Sequence, residues 1–223
     1  MKNIAFALII NLLGTISSLA QQVIERPQLF KRPSPYERYT TYRISLTGGL
    51  GLPMGTFKNY MTANTLYNYA LSADFVFPNN NFSAGIIVGS QFFQNRLPRQ
   101  VYPTTNGAIS AVQTRTFSAY PLIFTGSYHF TKVNATIRPY VQVGAGGVFA
   151  NLTNYWGNLP TGKNGLRIAL HGGAGVRALL SKSGHFGVEA GISYQHVPFK
   201  DSFEGISDAA SFGARAGLFY RWW

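Results

Sequence analysis

Apolar and polar residues alternate along the last part of the chain, residues 211–223. Even-numbered positions are apolar, with aromatic rings at both ends of the segment, whereas positions 213, 215, 217, 219 and 221 carry glycine, arginine and one phenylalanine. A repeat of two residues places successive side chains on opposite faces of a β-strand. The segment is therefore predicted to be a strand with one apolar face and one face of mixed polarity.

Similar alternation recurs upstream and predicts eight strands in all. The predicted strands are 42–52, 66–77, 82–93, 114–130, 138–150, 166–180, 186–196 and 211–223. Long connections at 53–65, 94–113, 151–165 and 197–210 alternate with short turns, and 94–113 is predicted to extend as a hairpin. We also expect a bulge or bend near Pro121, because proline cannot donate to a strand ladder. Short turns on one side and longer loops on the other are typical of outer-membrane β-barrels.

Aromatic residues on the apolar parity lie near both ends of most strands, as expected for girdles at two membrane interfaces. One set is Tyr42, Phe75, Phe77, Phe82, Tyr128, Phe130, Phe186, Tyr220 and Trp222, and the other is Tyr67, Tyr69, Phe92, Tyr120, Phe149, Tyr194 and Phe212. The sixth strand lacks such residues. The predicted fold is all-β, an eight-stranded antiparallel up-and-down transmembrane β-barrel with short periplasmic turns and longer extracellular loops. A secreted, soluble β-sandwich is the alternative.

Composition agrees with strands that face lipid. Charged residues make up 12% of the chain, against roughly 25% in an average protein. The formal net charge is +12, but the basic residues are scattered, which favours contact with anionic lipid headgroups over nucleic-acid binding. The chain contains no cysteine, which excludes disulfides, thiolate metal sites and a lipidated cysteine.

The N-terminal residues 1–20 have the features of a secretory signal. Lys2 supplies a positive start, residues 4–13 form an apolar core, and 18–20 provide a small-x-small cleavage site. We expect export through the Sec pathway and cleavage after Ala20. A retained membrane anchor is the alternative, although the apolar run is shorter than the about 20 residues that a helix needs. Residues 21–41 are predicted to be an extended, Pro-rich periplasmic segment, and 42–223 the barrel.

Two stretches resemble known outer-membrane barrels. The spacing of Arg215, Gly217, Tyr220 and Trp222 resembles the C-terminal assembly signal of such barrels, although Trp223 extends beyond its last aromatic residue. This resemblance implies recognition by the barrel-assembly machinery. Residues 119–124 (AYPLIF) and 138–146 (RPYVQVGAG) resemble the PorT-like or OmpX-like family of small outer-membrane barrels. The family resemblance implies the fold and the location, but its members include structural, adhesive and secretion-linked proteins, so it implies no single activity.

Several charged or titratable residues fall on the inward parity of the predicted strands. They are Arg43, Asp74, Arg167, His171, Arg177, Glu189, Arg215 and Arg221. Eight strands leave an interior just wide enough for side chains to fill it. We therefore expect a polar plug in which arginines pair with Asp74 and Glu189. A narrow, anion-preferring pore lined by surplus arginines is the alternative.

Residues that could carry chemistry are sparse. The four histidines, His129, His171, His185 and His196, have no metal-ligand spacing. Ser193 and Asp201 lie near His196 in sequence, but no motif joins them into a nucleophile–base pair. The sequence therefore predicts no catalytic residue, cofactor or metal site, and a lipid-modifying enzyme is the third reading of the chain after a binding or structural barrel and a pore.

The long connections carry aromatic residues that could anchor a partner or pack on one another. They are Tyr60, Tyr102, Tyr155, Trp156 and Phe203. We expect an integral component of the bacterial outer membrane that acts structurally or by binding through its extracellular loops. The expected partners are outer-membrane lipids including lipopolysaccharide, the barrel-assembly machinery during biogenesis, and an envelope or secretion-system protein.

Overall fold

The computed structural model describes residues 34–223 except 79, 105–106, 181–183 and 204–205, and it gives no side-chain detail for 102–104, 109 and 200–203. The predicted signal segment 1–20 and most of the lead-in segment 21–41 lie outside the described residues. From residue 35 the lead-in forms one helical turn, Pro35–Arg38, rather than an extended chain.

Strands make up most of the described chain. They are β1 (Thr41–Met54), β2 (Thr65–Val76), β3 (Phe82–Arg96), β4 (Gln100–Thr104), β5 (Gly107–Ala111), β6 (Gln113–His129), β7 (Ile137–Trp156), β8 (Leu159–Leu179), β9 (Phe186–Phe203) and β10 (Ile206–Trp222). A second helical turn, Phe57–Tyr60, lies between β1 and β2. Within the described ranges, no helix has both the length and the apolar character needed to cross a membrane.

Eight of these strands form a closed barrel in the order β1-β10-β9-β8-β7-β6-β3-β2, while β4 and β5 pair separately in the connection between β3 and β6. Every neighbouring pair is antiparallel, and β10 closes the ring against β1 from Tyr42↔Trp222 to Met54↔Ala210. The predicted eight-stranded up-and-down barrel is thus confirmed, and a two-sheet sandwich is excluded. We call the end that holds Thr41 and Trp222 the terminal end, and the opposite end the loop end.

Side chains alternate between the outside and the inside of the barrel in the predicted parity. Leu46, Val143 and Ile168 are 63%, 71% and 71% exposed, whereas Ala70 and Ala169 on the inner parity are 5% and 0% exposed. Large apolar side chains thus cover the outer wall. This distribution is the reverse of a water-soluble protein and is the one that a hydrocarbon surrounding stabilises.

Aromatic rings at the terminal end form a connected girdle on the outer wall. Tyr42 contacts Phe75 and Trp222 at ring-centroid distances of 5.4 and 5.8 Å, and Phe186 contacts Tyr220 at 4.8 Å. At the loop end, Tyr67 contacts Phe92 at 6.3 Å. The predicted girdles therefore lie on the face and at the ends expected from the sequence.

Two predicted loops are in fact strands. Residues 151–165 belong to a hairpin in which β7 and β8 stay paired as far as Trp156↔Leu159, closed by a turn at Gly157 with φ +62°. Residues 197–210 likewise belong mostly to β9 and β10. β8 begins to pair with β9 only at Leu170, whereas β7 stays paired with β6 up to Gln113↔Trp156, so the wall is taller on the side of β6, β7 and β8. The hairpin expected within 94–113 is confirmed as β4–β5.

Of the bulge or bend expected near Pro121, the bulge is wrong, and the bend stays a prediction. The register of β6 continues from Val88↔Leu122 to Gln91↔Ala119 on one side and through Pro121↔Val148 on the other. The ladder to β3 is interrupted beside Pro121, which has no N–H to donate, but it does not shift. Among the described strands, register shifts occur instead between Gly49 and Gly51 and between Ile206 and Asp208.

Candidate functional site: the barrel interior and its two ends

Two buried ion pairs cross the terminal half of the interior. Arg43 donates to Asp74 Oδ2 from Nη2 at 2.8 Å and from Nε at 3.3 Å, and Arg177 Nε donates to Glu189 Oε2 at 2.6 Å. Each pair joins directly opposed residues on neighbouring strands. We call Arg43, Asp74, Arg177 and Glu189 the ion-pair layer. The predicted pairing of Asp74 and Glu189 with arginines is present in the structure.

Tyr140 completes this layer, although the sequence analysis did not select it. Its hydroxyl donates to Glu189 Oε1 at 3.4 Å, and the guanidinium carbon of Arg177 lies 3.7 Å from the centre of its ring. Gly175 leaves room for the ring, because a Cβ there would lie 2.8 Å from the Tyr140 hydroxyl. Tyrosine on the inner parity of a strand gives no distinct polar signal, so its role emerges only from the register.

The other four predicted lumen residues have separate surroundings. His171 lies 2.8 Å from Gln142 through Nε2, and Arg221 donates to the backbone oxygens of Gly184 and Val133 near the terminal end. Arg167 and Arg215 are half-buried and form no side-chain hydrogen bond within the described part of the chain. The predicted network is therefore divided between several levels of the barrel instead of forming one cluster.

Amides and hydroxyls fill the interior above the ion-pair layer. Ser45 and Ser72 share a hydrogen bond of 2.7 Å, and Gln91 links Asn68 (3.3 Å) to Ser211 (3.4 Å) across three strands. These contacts satisfy polar groups that would otherwise be buried at a cost. The space left over is small, since the cavity beside Arg215 and Glu189 has a volume of about 30 Å³.

An apolar cluster closes the interior at the loop end. The helical turn Phe57–Tyr60 lies inside the barrel mouth, where the Phe57 ring contacts Phe93 (5.5 Å) and Phe117 (4.9 Å). Phe57, Met61 and Phe93 are fully buried. We call Phe57, Tyr60, Met61, Phe93 and Phe117 the cap cluster. Phe93 of β3 and Phe117 of β6 are therefore apolar residues on the inward parity whose burial this cluster explains.

A second closure lies at the terminal end. Tyr36 from the N-terminal helical turn contacts the Trp223 ring at 4.8 Å, and the Arg221 guanidinium lies 4.1 Å above the Tyr36 ring. Trp223 also stacks on His185 at 5.2 Å. Trp223, which extends beyond the C-terminal assembly pattern, therefore packs against other residues at this end of the barrel. Burial raises the pKa of the Tyr36 phenol, so this side chain stays protonated at neutral pH.

The loop-binding candidates are not equivalent. Tyr60 is buried in the cap cluster, where Arg115 lies 4.6 Å from its ring centre, which corrects the expectation of an exposed loop aromatic. Tyr155 is exposed and Trp156 half-buried at the tip of the β7–β8 hairpin. The side chains of Tyr102 and Phe203 lie outside the part of the chain whose side chains are described.

The residues considered for catalysis do not converge. Ser193 points into the barrel, whereas His196 lies at the loop end with Nδ1 3.6 Å from Asp208 Oδ2. Asp208 in turn accepts a hydrogen bond from Thr56 beside the cap cluster. The side chain of Asp201 is not described. Among the described residues, no three His, Cys, Asp or Glu side chains lie close enough to hold a metal ion.

No family model matches the chain, and no curated protein matches it. Among solved structures, the chain is similar to Neisserial surface protein A, with 14% identity over 81% of this chain and 96% of that chain and a TM-score of 0.47. It is also similar to the N-terminal β-barrel domain of OprF from Pseudomonas aeruginosa, with 16% identity over 82% and 97% and a TM-score of 0.45. A third is Ail, the attachment invasion locus protein of Yersinia pestis, with 15% identity over 82% and 97% and a TM-score of 0.43. These similarities carry no argument about activity, ligand or family, so PorT-like or OmpX-like membership stays a prediction.

Proposed function

We propose that this protein is an integral outer-membrane barrel that does not conduct and that acts by presenting rigid hairpins at its loop end. The observation that carries the proposal is the filling of the interior between two closures. The cap cluster closes the loop end, the Tyr36–Trp223 contact closes the terminal end, and the ion-pair layer lies between them. The outer wall of apolar and aromatic side chains supports a lipid surrounding.

The loop end offers a binding surface that is already ordered. The β7–β8 hairpin stays paired to its tip, where Tyr155 and Leu159 are exposed and Lys163 lies close by. Arg96 and Arg99 are exposed on the neighbouring connection. Paired strands lose little conformational entropy on binding, which favours affinity. Exposed apolar tips flanked by basic residues suit lipopolysaccharide headgroups or an envelope or secretion-system protein, and we propose these as partners.

Electrical recording tests the closed interior. We predict that the purified protein, reconstituted in a planar bilayer, gives no steady conductance, because buried side chains of the described residues fill the interior from the cap cluster to the ion-pair layer. A general porin added afterwards to the same bilayer is the positive control. Steady, anion-selective conductance would establish the pore instead and refute the proposal.

Trimming one hairpin tests the binding surface. Replacing residues 155–160 by Asn-Gly shortens the β7–β8 hairpin with a turn suited to paired strands. The matched control is Lys132→Gln, which removes an exposed positive charge at the terminal end and keeps the hairpin intact. We expect the trimmed barrel to fold and insert normally but to lose cross-linking to lipopolysaccharide or to an envelope protein on intact cells. Unchanged cross-linking by the trimmed barrel would contradict this role.

Ser193 and His196, the described residues considered for catalysis, give no support to an enzymatic role. A nucleophile and its base must lie within hydrogen-bond reach, whereas Ser193 and His196 occupy opposite parities of β9. We therefore propose that the protein is not an enzyme. Mass spectrometry of lipid A incubated with the purified protein checks this, since a mass change would require a catalytic site.

A further inference from the structure

Four buried arginines surround one cavity near the terminal end of the barrel. Arg43 is the direct cross-strand partner of Arg221, and Arg138 is the partner of Arg177. All four are buried, and all four line a cavity of about 10 Å³ together with Thr41. We call it the arginine cavity. Like charges placed directly opposite on neighbouring strands repel each other, so this arrangement needs a compensating group.

The described carboxylates compensate only half of this charge. Asp74 pairs with Arg43 and Glu189 pairs with Arg177. Arg221 instead uses the backbone oxygens of Gly184 and Val133, and Arg138 Nε donates to the backbone oxygen of Thr131 at 3.3 Å. No described carboxylate forms an ion pair with Arg138 or Arg221, so within the described part of the chain these two arginines have no carboxylate partner.

Three donors on residues that line the arginine cavity have no protein partner. They are Arg138 Nη2, Arg177 Nη1 and Thr41 Oγ1, each fully buried and without a hydrogen bond in the described structure. Buried donors of charged groups are costly when unpaired. Water could accept hydrogen bonds from them, but it could not offset the repulsion between the arginines. An anion does both.

We propose that the arginine cavity binds a single monovalent anion of halide size, held by Arg138, Arg177 and Thr41. A volume of about 10 Å³ is the minimum for one water-sized particle, which favours the smallest anions over sulfate, phosphate and carboxylates. Both ends of the interior are closed, so the anion is a structural counter-ion and not a permeating one. It offsets the repulsion between arginines that are directly opposed on neighbouring strands.

Anomalous diffraction locates the anion directly. Crystals of the purified protein grown in sodium bromide should give an anomalous peak in the arginine cavity within hydrogen-bonding distance of Arg138 and Arg177. The same crystals test the cavity beside Arg215, where no such peak is expected. Ordinary water density in the arginine cavity, without anomalous signal, would overturn the proposal.

Thermal unfolding in detergent provides the solution test. Chloride is varied at constant ionic strength against gluconate, which is too large for the cavity. We expect the unfolding midpoint of the unchanged protein and of Arg215→Gln to rise with chloride, and the midpoint of Arg138→Gln to stay constant. Should Arg138→Gln fail to fold, Thr41→Val serves in its place and should show a smaller rise. Equal chloride dependence in all the variants that fold would refute a specific site.

Discussion

At the scale of single residues, the interior depends on charges that are buried together. Asp74 and Glu189 each accept charge-assisted hydrogen bonds from an arginine on the next strand. Removing one partner of such a pair leaves an uncompensated charge in a dry interior, which costs more than the pair itself contributes. The ion-pair layer therefore specifies the register of β1 with β2 and of β8 with β9.

Replacing Glu189 by Leu tests this dependence. We expect Glu189→Leu to lower the free energy of unfolding by about 3 kcal/mol, because the buried Arg177 then loses its carboxylate partner. The double variant Arg177→Met, Glu189→Leu should recover part of the loss. Urea unfolding in detergent micelles measures both. A double variant that is less stable than the single one would show that the arginine does not depend on Glu189.

Close backbone approach explains Gly217 in the C-terminal pattern. A Cβ at this position would lie 2.6 Å from the Cα of Thr47 on β1, across the strand pair that closes the barrel. We expect Gly217→Ala to reduce stability by about 1–3 kcal/mol through overpacking. Gly172→Ala is the matched control, since a Cβ there meets nothing within 4 Å. The folded fraction after refolding in detergent measures the effect; equal folding of the two variants would contradict it.

The sequence identified some residues of the interior and missed others for a physical reason. The residues of the ion-pair layer lie in strands with regular alternation, at positions whose side chains point inwards. Alternation alone therefore predicted that they lie inside the barrel. Arg138 is the first residue of the predicted strand 138–150, and a charge at the end of a strand does not by itself indicate whether its side chain is buried or exposed at the rim. Tyr140 cannot be distinguished in the sequence from other tyrosines on the strands. Its contact with Glu189 on β9 is visible only in the structure.

At the scale of elements, the alternation of apolar and polar residues predicted all eight barrel strands. It did not predict the full length of some of them. Residues 151–165 contain glycine, proline and asparagine, which indicate a loop. The two halves nevertheless pair with each other, and the β7 half also pairs with β6 up to Gln113↔Trp156. The helical turn Phe57–Tyr60 was also unexpected, because four residues are too few to produce a helical repeat.

The Phe57–Tyr60 turn is predicted to be held in the barrel mouth by one side chain. Phe57→Ala should weaken its attachment by about 3 kcal/mol, the usual cost of a Phe-to-Ala truncation in a core. Lys58→Ala on the exposed side of the same turn is the control. Hydrogen exchange of the Met61 amide, which donates to Phe57 O at 2.8 Å, should accelerate in the first variant alone. Equal exchange in both variants would show that the cap cluster does not anchor the turn.

At the scale of the whole molecule, the distribution of polarity is the reverse of that in a water-soluble protein, and side chains close both ends of the barrel. Its apolar side chains face outwards, its charges and amides lie inside, and aromatic contacts mark both rims of the wall. The fold followed from the repeat of two residues and the alternating connections. The closures of the two ends could not be predicted in this way, because they depend on which inward side chains contact each other across the barrel.

The outward orientation of the apolar face is the central claim, and spin labelling in lipid vesicles tests it most directly. The chain has no cysteine, so single substitutions carry the label without interference. We predict high collision rates with membrane-dissolved oxygen for labels at Leu46, Val143 and Leu170, and low rates at Ala70, Ala119 and Ala169. Equal oxygen collision rates at the two sets, or preferential collision of the first set with a water-soluble nickel reagent, would contradict the account.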